Sequence, residues 1–294
     1  MNRIGLSMLA GVAVGTVLAA PASAQIRASE RSTLSQTIDG TVITLDFARP
    51  RLRDRMPIFG KVVRWGEVWT PGANWATTLE TNRPIELGHH AVPKGKYSVW
   101  LVVRETGPWT LVLDPDHHRY HMDPPDSSAA EVRIPVEPQP APRTEVLTWS
   151  FPELRVSGGT LAIQWAESVV SVDLKVSPSY GITMSPEDAA PYVGRYQYAW
   201  RAALGEKADT LGLVLTYEKG SLYAHYVPKD DYFGDFVMIR LADGSMIPGL
   251  FDKGEIYEVV REMVFEFKGP KGRPDTFEVR DDHDEVIATG KRLP

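Results

Sequence analysis

The chain has 294 residues, a formal net charge of −6 at pH 7 and no cysteine. A mildly acidic chain without a run of basic residues is not typical of proteins that bind nucleic acid. The lack of cysteine excludes disulfides, thiolate chemistry and cysteine-ligated metal ions. The length is sufficient for two domains of ordinary size.

Residues 1–24 have the three parts of a cleavable secretory signal peptide. A positively charged start precedes an apolar run over residues 4–20, and small residues lead up to Ala24. The alternative is a retained membrane anchor. Gly11 and Gly15 interrupt the apolar run, which lies just below the roughly 18 to 20 apolar residues that a spanning helix needs. We therefore predict cleavage near Ala24 and a periplasmic or secreted protein with no transmembrane segment after cleavage.

Alternation of apolar and polar residues dominates residues 36–176. Within 41–47, the side chains of Ile43, Leu45 and Phe47 share one face of an extended chain, which is typical of a half-buried strand. Further strands are predicted at 97–103, 109–113, 132–136, 146–151, 161–165 and 170–176. Turn residues separate these strands and no sustained helical period occurs, so the region is predicted to be an antiparallel β-sandwich.

Two segments lie outside these sheets. The polar residues 25–35 are expected to be a flexible N-terminus. Residues 177–190 are predicted to be a linker that contains a short helix, because Ser185 suits the N-cap and Pro186 suits the first helical position.

A second strand-rich region covers residues 191–294. Strands are predicted at 211–217, 221–227, 236–241, 263–267, 277–279 and 286–291. Tight turns such as Glu218-Lys219-Gly220 join consecutive strands, and a meander of hairpins favours a small up-and-down barrel. The predicted fold class is therefore all-β.

Four motifs occur in order between residues 36 and 176. They are Phe47-Ala48-Arg49-Pro50, Ile58-Phe59-Gly60, Trp69-Thr70-Pro71-Gly72-Ala73-Asn74-Trp75 and Pro93-Lys94-Gly95-Lys96-Tyr97-Ser98. This series resembles domain-of-unknown-function family 2911, and the resemblance implies an exported bacterial β-domain with no established activity. Thr70 and Trp75 stand where the family has an arginine and an acidic residue, so functions that need those two side chains are not implied here.

Residues 192–293 carry a second set of motifs. They are Tyr192-Val193-Gly194-Arg195-Tyr196, Lys219-Gly220-Ser221-Leu222-Tyr223, Met263-Val264-Phe265-Glu266-Phe267 and Gly290-Lys291-Arg292-Leu293. This region resembles the lipocalin-like barrel appended to β-lactamase-type hydrolases, which implies an eight-stranded accessory module. The chain has neither a Gly-x-Ser-x-Gly elbow nor a Ser-x-x-Lys motif, so no catalytic residue is predicted.

The first candidate binding site is a loop rich in tryptophan. Indole faces stack on sugars and other flat ligands, and neighbouring polar side chains can orient them. The alternative is structural, with the tryptophans closing one end of the sandwich and Asn74 capping the Pro71-Gly72 turn. The predicted ligand-binding residues are Arg49, Arg64, Trp65, Trp69, Asn74 and Trp75.

The second candidate is a segment with three histidines, His117, His118 and His121, and nearby carboxylates. Imidazole and carboxylate groups bind Zn²⁺, and His89-His90 is a further source of ligands. A metal site also needs rigid elements that orient each ligand, whereas this segment reads as a solvated loop. We therefore predict no metal and no cofactor, and leave open whether these histidines bind a metal ion.

The leading hypothesis is an exported, non-catalytic binding or accessory protein of the bacterial envelope, whose ligand is a small molecule, a sugar or an envelope component. One alternative is a hydrolase that uses Glu67 with Arg64, or the histidine segment. Another is a module for protein–protein interaction. No oligomeric state is predicted.

Overall fold

A computed structural model describes residues 27–127, 130–201, 210–230, 233–252, 254–270 and 273–294. The predicted signal peptide lies outside the described residues. Antiparallel strands make up most of the described chain and a single helical turn interrupts them, which confirms the all-β fold class. Among the described residues, no helix has the length and apolar character needed to cross a membrane.

The N-terminal region is a sandwich of two antiparallel sheets. The first sheet has the strand order β1-β2-β4-β7-β8-β9, with β3 beside β7, and the second has the order β10-β11-β5-β6. The strands are β1 (Glu30–Ile38), β2 (Thr41–Arg49), β3 (Val68–Trp69), β4 (Thr77–Thr81), β5 (Ile85–Leu87), β6 (His90–Val92), β7 (Gly95–Val102), β8 (Trp109–Asp114), β9 (Val132–Val136), β10 (Pro138–Arg155) and β11 (Gly158–Val176).

The sandwich core lies between the facing sides of these sheets. Ile43, Leu45 and Phe47 are buried and alternate with half-buried positions along β2, as the sequence pattern predicts. They join Leu147 and Leu161 of the second sheet in one continuous cluster of buried apolar side chains. Burial of one face of each sheet is the dominant stabilising term of such a fold.

The N-terminal boundary of the sandwich differs from the prediction. Residues 30–35 were expected to be flexible, which is wrong, because they belong to β1 and pair with β2 from Glu30↔Arg49 to Ile38↔Thr41. This strand lies at the edge of the sheet and is mostly solvent-facing. Backbone pairing therefore holds it in place, and its polar side chains give no strand pattern.

The long strand β11 also differs from the prediction. Strands expected at 161–165 and 170–176 are parts of one strand that spans residues 158–176. Ala166 adopts a positive φ of 56° within it, and the register with β10 shifts nearby. A local bend therefore breaks the sequence alternation while the strand continues.

The predicted helix is present as α1 (Pro186–Ala189), a single turn between the two regions. The Ser185 hydroxyl accepts a hydrogen bond from the Asp188 backbone N–H at 3.1 Å. Ser185 is thus the N-cap and Pro186 the first helical residue, as expected from their conformational preferences.

The C-terminal region is a closed barrel of eight strands. The ring runs β15-β14-β13-β12-β20-β19-β18-β16 and closes where β16 pairs with β15, while β17 pairs with β16 outside the ring. The strands are β12 (Gly194–Trp200), β13 (Thr210–Glu218), β14 (Ser221–Val227), β15 (Asp235–Arg240), β16 (Met246–Asp252), β17 (Glu255–Val259), β18 (Val264–Lys268), β19 (Thr276–Arg280) and β20 (Val286–Arg292).

Aromatic side chains occupy the barrel interior. Tyr198, Tyr226, Phe265 and Phe277 are fully or almost fully buried and belong to one apolar cluster. Gly290 makes room for one of these rings, because a Cβ atom there would overlap the ring of Phe277. A small barrel filled in this way is a packed core.

Candidate functional site

Two of the predicted ligand-binding residues hold the sandwich together. The Arg49 guanidinium donates from Nε to the Leu147 carbonyl oxygen at 3.2 Å and from Nη2 to Thr148 Oγ1 at 3.1 Å, so it connects β2 to β10. The Trp69 ring stacks on the Trp165 ring with centroids 5.7 Å apart and an interplanar angle of 15°. Arg49 is therefore a structural residue, whereas Trp69 is half-buried and also reaches a cleft.

Arg64 and Trp65 lie in an exposed turn before β3. The Trp65 side chain is 41% exposed. The Arg64 backbone N–H donates to the Glu67 carboxylate at 2.8 Å, which is a typical turn contact. The Glu67 carboxylate thus has a local role in this turn and is not held by the Arg64 guanidinium.

The turn after Trp69 is held by buried threonines. Thr70 Oγ1 donates to the Val99 carbonyl oxygen at 2.9 Å and accepts from the Thr77 backbone N–H at 3.0 Å. Thr77 Oγ1 donates to the Pro71 carbonyl oxygen at 2.8 Å. A Cβ atom at Gly72 would lie 2.6 Å from Thr77 Oγ1, so only glycine fits this turn.

Asn74 connects this turn to the histidine loop, which we define as residues 115–126. The Asn74 backbone has a positive φ of 64°, and its carbonyl oxygen lies 2.8 Å from the His121 backbone nitrogen, which donates to it, and 2.9 Å from His121 Nδ1. The Ala76 backbone N–H donates to the Arg119 carbonyl oxygen at 2.9 Å. The two loops are therefore locked together by backbone contacts.

A buried ion pair fixes the histidine loop on the first sheet. Arg119 Nε donates to Asp114 Oδ2 at 2.7 Å, and Asp114 is buried. Ser98 Oγ donates to the Asp116 carbonyl oxygen at 2.7 Å and accepts from the fully buried Trp100 indole N–H at 2.9 Å. Most residues of the histidine loop are exposed, as expected for a solvated loop, and these contacts anchor it to the sheet through Arg119 and Asp116.

Electrostatics favour the charged form of Arg119. Burial opposes its charge, but the hydrogen bond to Asp114 and the negative charges of Asp114, Asp116 and Asp123 outweigh that effect and raise the pKa of the guanidinium. The pair is thus an ionic contact inside a folded loop.

A cleft of about 450 Å³ opens beside this pair of loops. Trp69 and Trp165 contribute apolar walls, and Arg51, Arg53 and Arg55 line it from the segment that follows β2. His121 lines it from the histidine loop. We call it the arginine cleft.

The arginines of this cleft make few ionic contacts. Arg53 Nη2 donates to the Ala28 carbonyl oxygen at 3.1 Å. Arg55 donates from Nε to the Leu52 carbonyl oxygen at 3.0 Å and from Nη2 to the Arg51 carbonyl oxygen at 2.6 Å. Within the described chain, no carboxylate lies within 4.0 Å of the Arg53 or Arg55 guanidinium nitrogens, although Glu67 also lines the cleft. Arg51 Nε lies 4.0 Å from Glu145 Oε1, so the cleft arginines whose guanidinium groups have no carboxylate partner among the described residues are Arg53 and Arg55.

Trp165 adds an unsatisfied donor to this region. Its side chain is buried, and its indole N–H has no acceptor among the residues that the structure describes. Buried polar groups without a partner are uncommon and costly.

Exposed aromatic rings lie next to the cleft. The Trp75 ring contacts His118 with centroids 4.7 Å apart and Tyr120 with centroids 5.6 Å apart. The side chains of Trp75 and Tyr120 are 48% and 42% exposed. We call Trp75, His118 and Tyr120 the aromatic platform.

One segment of the chain contains the four ordered motifs, the sandwich and this pair of loops. Residues 29–174 match the family described as protein of unknown function DUF2911. The DUF2911 match includes β1, which agrees with the observed start of the sheet. It also includes the arginine cleft and the aromatic platform, and it assigns no activity to either.

Beyond the DUF2911 segment, the comparisons add no relative. No curated protein and no solved structure matches the chain. The eight-stranded barrel is present, and its resemblance to the accessory module of β-lactamase-type hydrolases stays a prediction.

The histidines within residues 29–174, the segment that matches DUF2911, do not form a compact ligand set. In the ranges that the structure describes, three candidate ligand atoms lie within 4.8 Å of one another at Asp281, Asp282 and His283. This group belongs to an exposed turn of the barrel. His118 and His121 instead contact aromatic rings and backbone, as described above.

Sequence reasoning found part of this site and missed the rest. Trp69 lines the arginine cleft and Trp75 lies on the platform, whereas Asn74 supports both through its backbone. The arginines at 51, 53 and 55 could have been found from the sequence, because they occupy alternate positions directly after the Arg49-Pro50 motif. Trp165 had none, because only the packing of β11 against the first sheet brings it to the cleft.

Proposed function

We propose that this chain is an exported, non-catalytic binding protein whose DUF2911 domain holds a small anionic ligand in the arginine cleft. The observation that carries the proposal is the pair Arg53 and Arg55, which face the cleft without a carboxylate partner. Guanidinium groups bind carboxylates and phosphates through paired, charge-assisted hydrogen bonds. The walls formed by Trp69 and Trp165 provide the apolar surface that small-molecule sites usually have.

The remaining predicted residues take different roles in this proposal. Trp69 contacts the ligand directly, whereas Arg49 and Asn74 keep the cleft in shape. Arg64 and Trp65 lie outside it. The signal-peptide pattern of residues 1–24 supports export, and the barrel is proposed to be an accessory module that connects the binding domain to the envelope or to a partner.

The hydrolase alternative finds less support than binding. Glu67 lines the cleft, and one oxygen of its carboxylate accepts the Arg64 backbone N–H. A general base needs hydrogen-bond reach to a substrate proton and a tuned pKa. The arrangement of positive charge on apolar walls fits anion binding more directly.

Titration calorimetry with galacturonate and with glucose 6-phosphate tests the proposal, with glucose as the neutral control. The Arg53→Ala/Arg55→Ala protein is expected to bind both anions at least about tenfold more weakly, since hydrogen bonds to charged groups contribute about 1.5–3 kcal/mol each. The matched control is Arg143→Ala, which removes one exposed arginine of β10. Affinity should also fall as salt concentration rises. Equal affinities in the double variant and the wild type would refute the proposal.

A further inference from the structure

We infer that the ligand is an acidic oligosaccharide, with an anionic group in the arginine cleft and a neighbouring sugar ring on the aromatic platform. The inference rests on the proposed function and names the ligand class for the same site. It depends on how the cleft and the platform are connected, on the exposure of the platform, and on the rigidity of the loops that carry it.

The cleft and the platform form a continuous surface. His121 lines the cleft, and its ring lies 4.4 Å from the Tyr120 ring, centroid to centroid. Tyr120 in turn meets Trp75 edge-on at 5.6 Å. A ligand longer than one ring can therefore leave the cleft past His121 and reach Trp75 without crossing a gap.

The platform is exposed although its backbone is fixed. Trp75 and Tyr120 form an isolated antiparallel bridge, and Arg31 Nη1 donates to the Trp75 carbonyl oxygen at 3.4 Å. Large aromatic side chains normally contribute to cores. Here Trp75 and Tyr120 are 48% and 42% exposed, on a loop that the Asp114–Arg119 ion pair anchors to the first sheet. The conformational entropy that the protein loses on binding is small for such a preorganised surface.

The chemistry of this surface fits a sugar chain. The His118 ring packs on the Trp75 ring with centroids 4.7 Å apart and an interplanar angle of 32°, and the exposed part of the indole offers apolar contact to the C–H face of a sugar ring. The imidazole of His118 offers a polar group to the sugar hydroxyls. The guanidinium groups of Arg53 and Arg55 donate to backbone carbonyl oxygens but have no carboxylate partner in the described part of the chain, so they select an acidic residue in the sugar chain. The outer side of the platform is open to solvent, which suits a polymer that continues beyond it more than a nucleotide base that needs a closed slot.

The test compares galacturonate with its linear trimer and with the fully methyl-esterified trimer by titration calorimetry. We expect the trimer to bind the wild-type protein about tenfold more tightly than the monomer, and the esterified trimer to bind far more weakly than the free acid. Trp75→Ala should abolish the tighter binding of the trimer relative to the monomer. Trp65→Ala is the matched control, because Trp65 is similarly exposed but lies outside the cleft and the platform.

The possible failures are distinct. Arginine-dependent binding of the monomer without any gain for the trimer, or a gain that survives Trp75→Ala, overturns this inference and leaves the proposed function standing. Equal binding of the esterified trimer overturns the acidic assignment. Trp75-dependent binding of a nucleoside diphosphate in place of the trimer overturns the saccharide assignment. If no anion binds, both proposals fall.

Discussion

At the scale of single residues, Tyr226 makes the barrel sensitive to alkaline pH. Burial raises the pKa of Tyr226 from 10.0 to about 12, against the opposing effect of a hydrogen bond with the neighbouring Tyr198 hydroxyl. An unfolded tyrosine ionises near pH 10, whereas the folded one keeps its proton to about pH 12. Between these values the unfolded state binds fewer protons, so the free energy of unfolding falls as pH rises, and below pH 10 this loss is absent.

We expect Tyr226→Phe to remove this contribution. Urea denaturation at a series of pH values should show the wild type losing about 2–3 kcal/mol more than the variant between pH 10 and pH 12. Near neutral pH the two proteins should have similar stability, because the substitution keeps the buried ring and removes only its hydroxyl group. If the free energy of unfolding depended on pH in the same way in the wild type and the variant, Tyr226 would not titrate as its burial implies.

At the scale of elements, the histidine loop depends on the carboxylate of Asp114. That group accepts from Arg119 Nε and, through its other oxygen, from the Asp116 backbone N–H at 3.1 Å. Asp114→Asn keeps the volume and removes the charge, which leaves the half-buried guanidinium of Arg119 without its nearest partner. We expect a loss of about 1–3 kcal/mol in the free energy of unfolding.

Hydrogen exchange locates the effect of Asp114→Asn. The His121 backbone N–H, which donates to Asn74, should lose protection, and trimer binding on the platform should weaken with it. Asp123→Asn is the control, because its exposed carboxylate lies 3.5 Å from Arg119 Nη1 and surface ion pairs contribute little. Equal exchange in the two variants would contradict the role given to Asp114.

Most elements of this fold could be predicted from sequence where burial alternates along the strand. β2 shows that alternation, and so do the hairpin strands of the barrel. β1 does not, because an edge strand is held by backbone pairing and its side chains face water. β11 appears as two strands in the sequence, because the bend at Ala166 changes which side chains face the core.

The candidate site was only partly predictable for a related reason. Its arginines follow one motif and its exposed tryptophan belongs to another, so both are visible as local patterns. The role of Asn74 depends on a carbonyl oxygen, which no side-chain pattern reveals. The cleft itself forms where β11 brings Trp165 towards the segment after β2, and contacts between residues more than one hundred positions apart are set by packing.

At the scale of the whole molecule, the sandwich and the barrel have separate cores. The buried cluster of the sandwich and that of the barrel share no residue. Contacts at the junction involve the linker, where the Ser179 backbone N–H donates to the Asp39 carboxylate at 2.7 Å and Tyr180 packs on the outside of the barrel. Cooperative unfolding requires shared buried surface, so we expect two thermal transitions.

Scanning calorimetry of two core variants and of the liganded protein tests this division. Phe277→Ala leaves a cavity at a fully buried position in the barrel. It should lower the midpoint temperature of one transition, with a loss of about 3–5 kcal/mol in the free energy of unfolding. Leu161→Ala should lower the midpoint temperature of the other transition, with a loss of about 2–5 kcal/mol. Galacturonate trimer at saturating concentration should raise only the transition that Leu161→Ala lowers, because a ligand stabilises the unit that binds it. A single transition that both variants shift would mean that the two regions unfold together. A ligand shift in the barrel transition would place the binding site outside the DUF2911 domain.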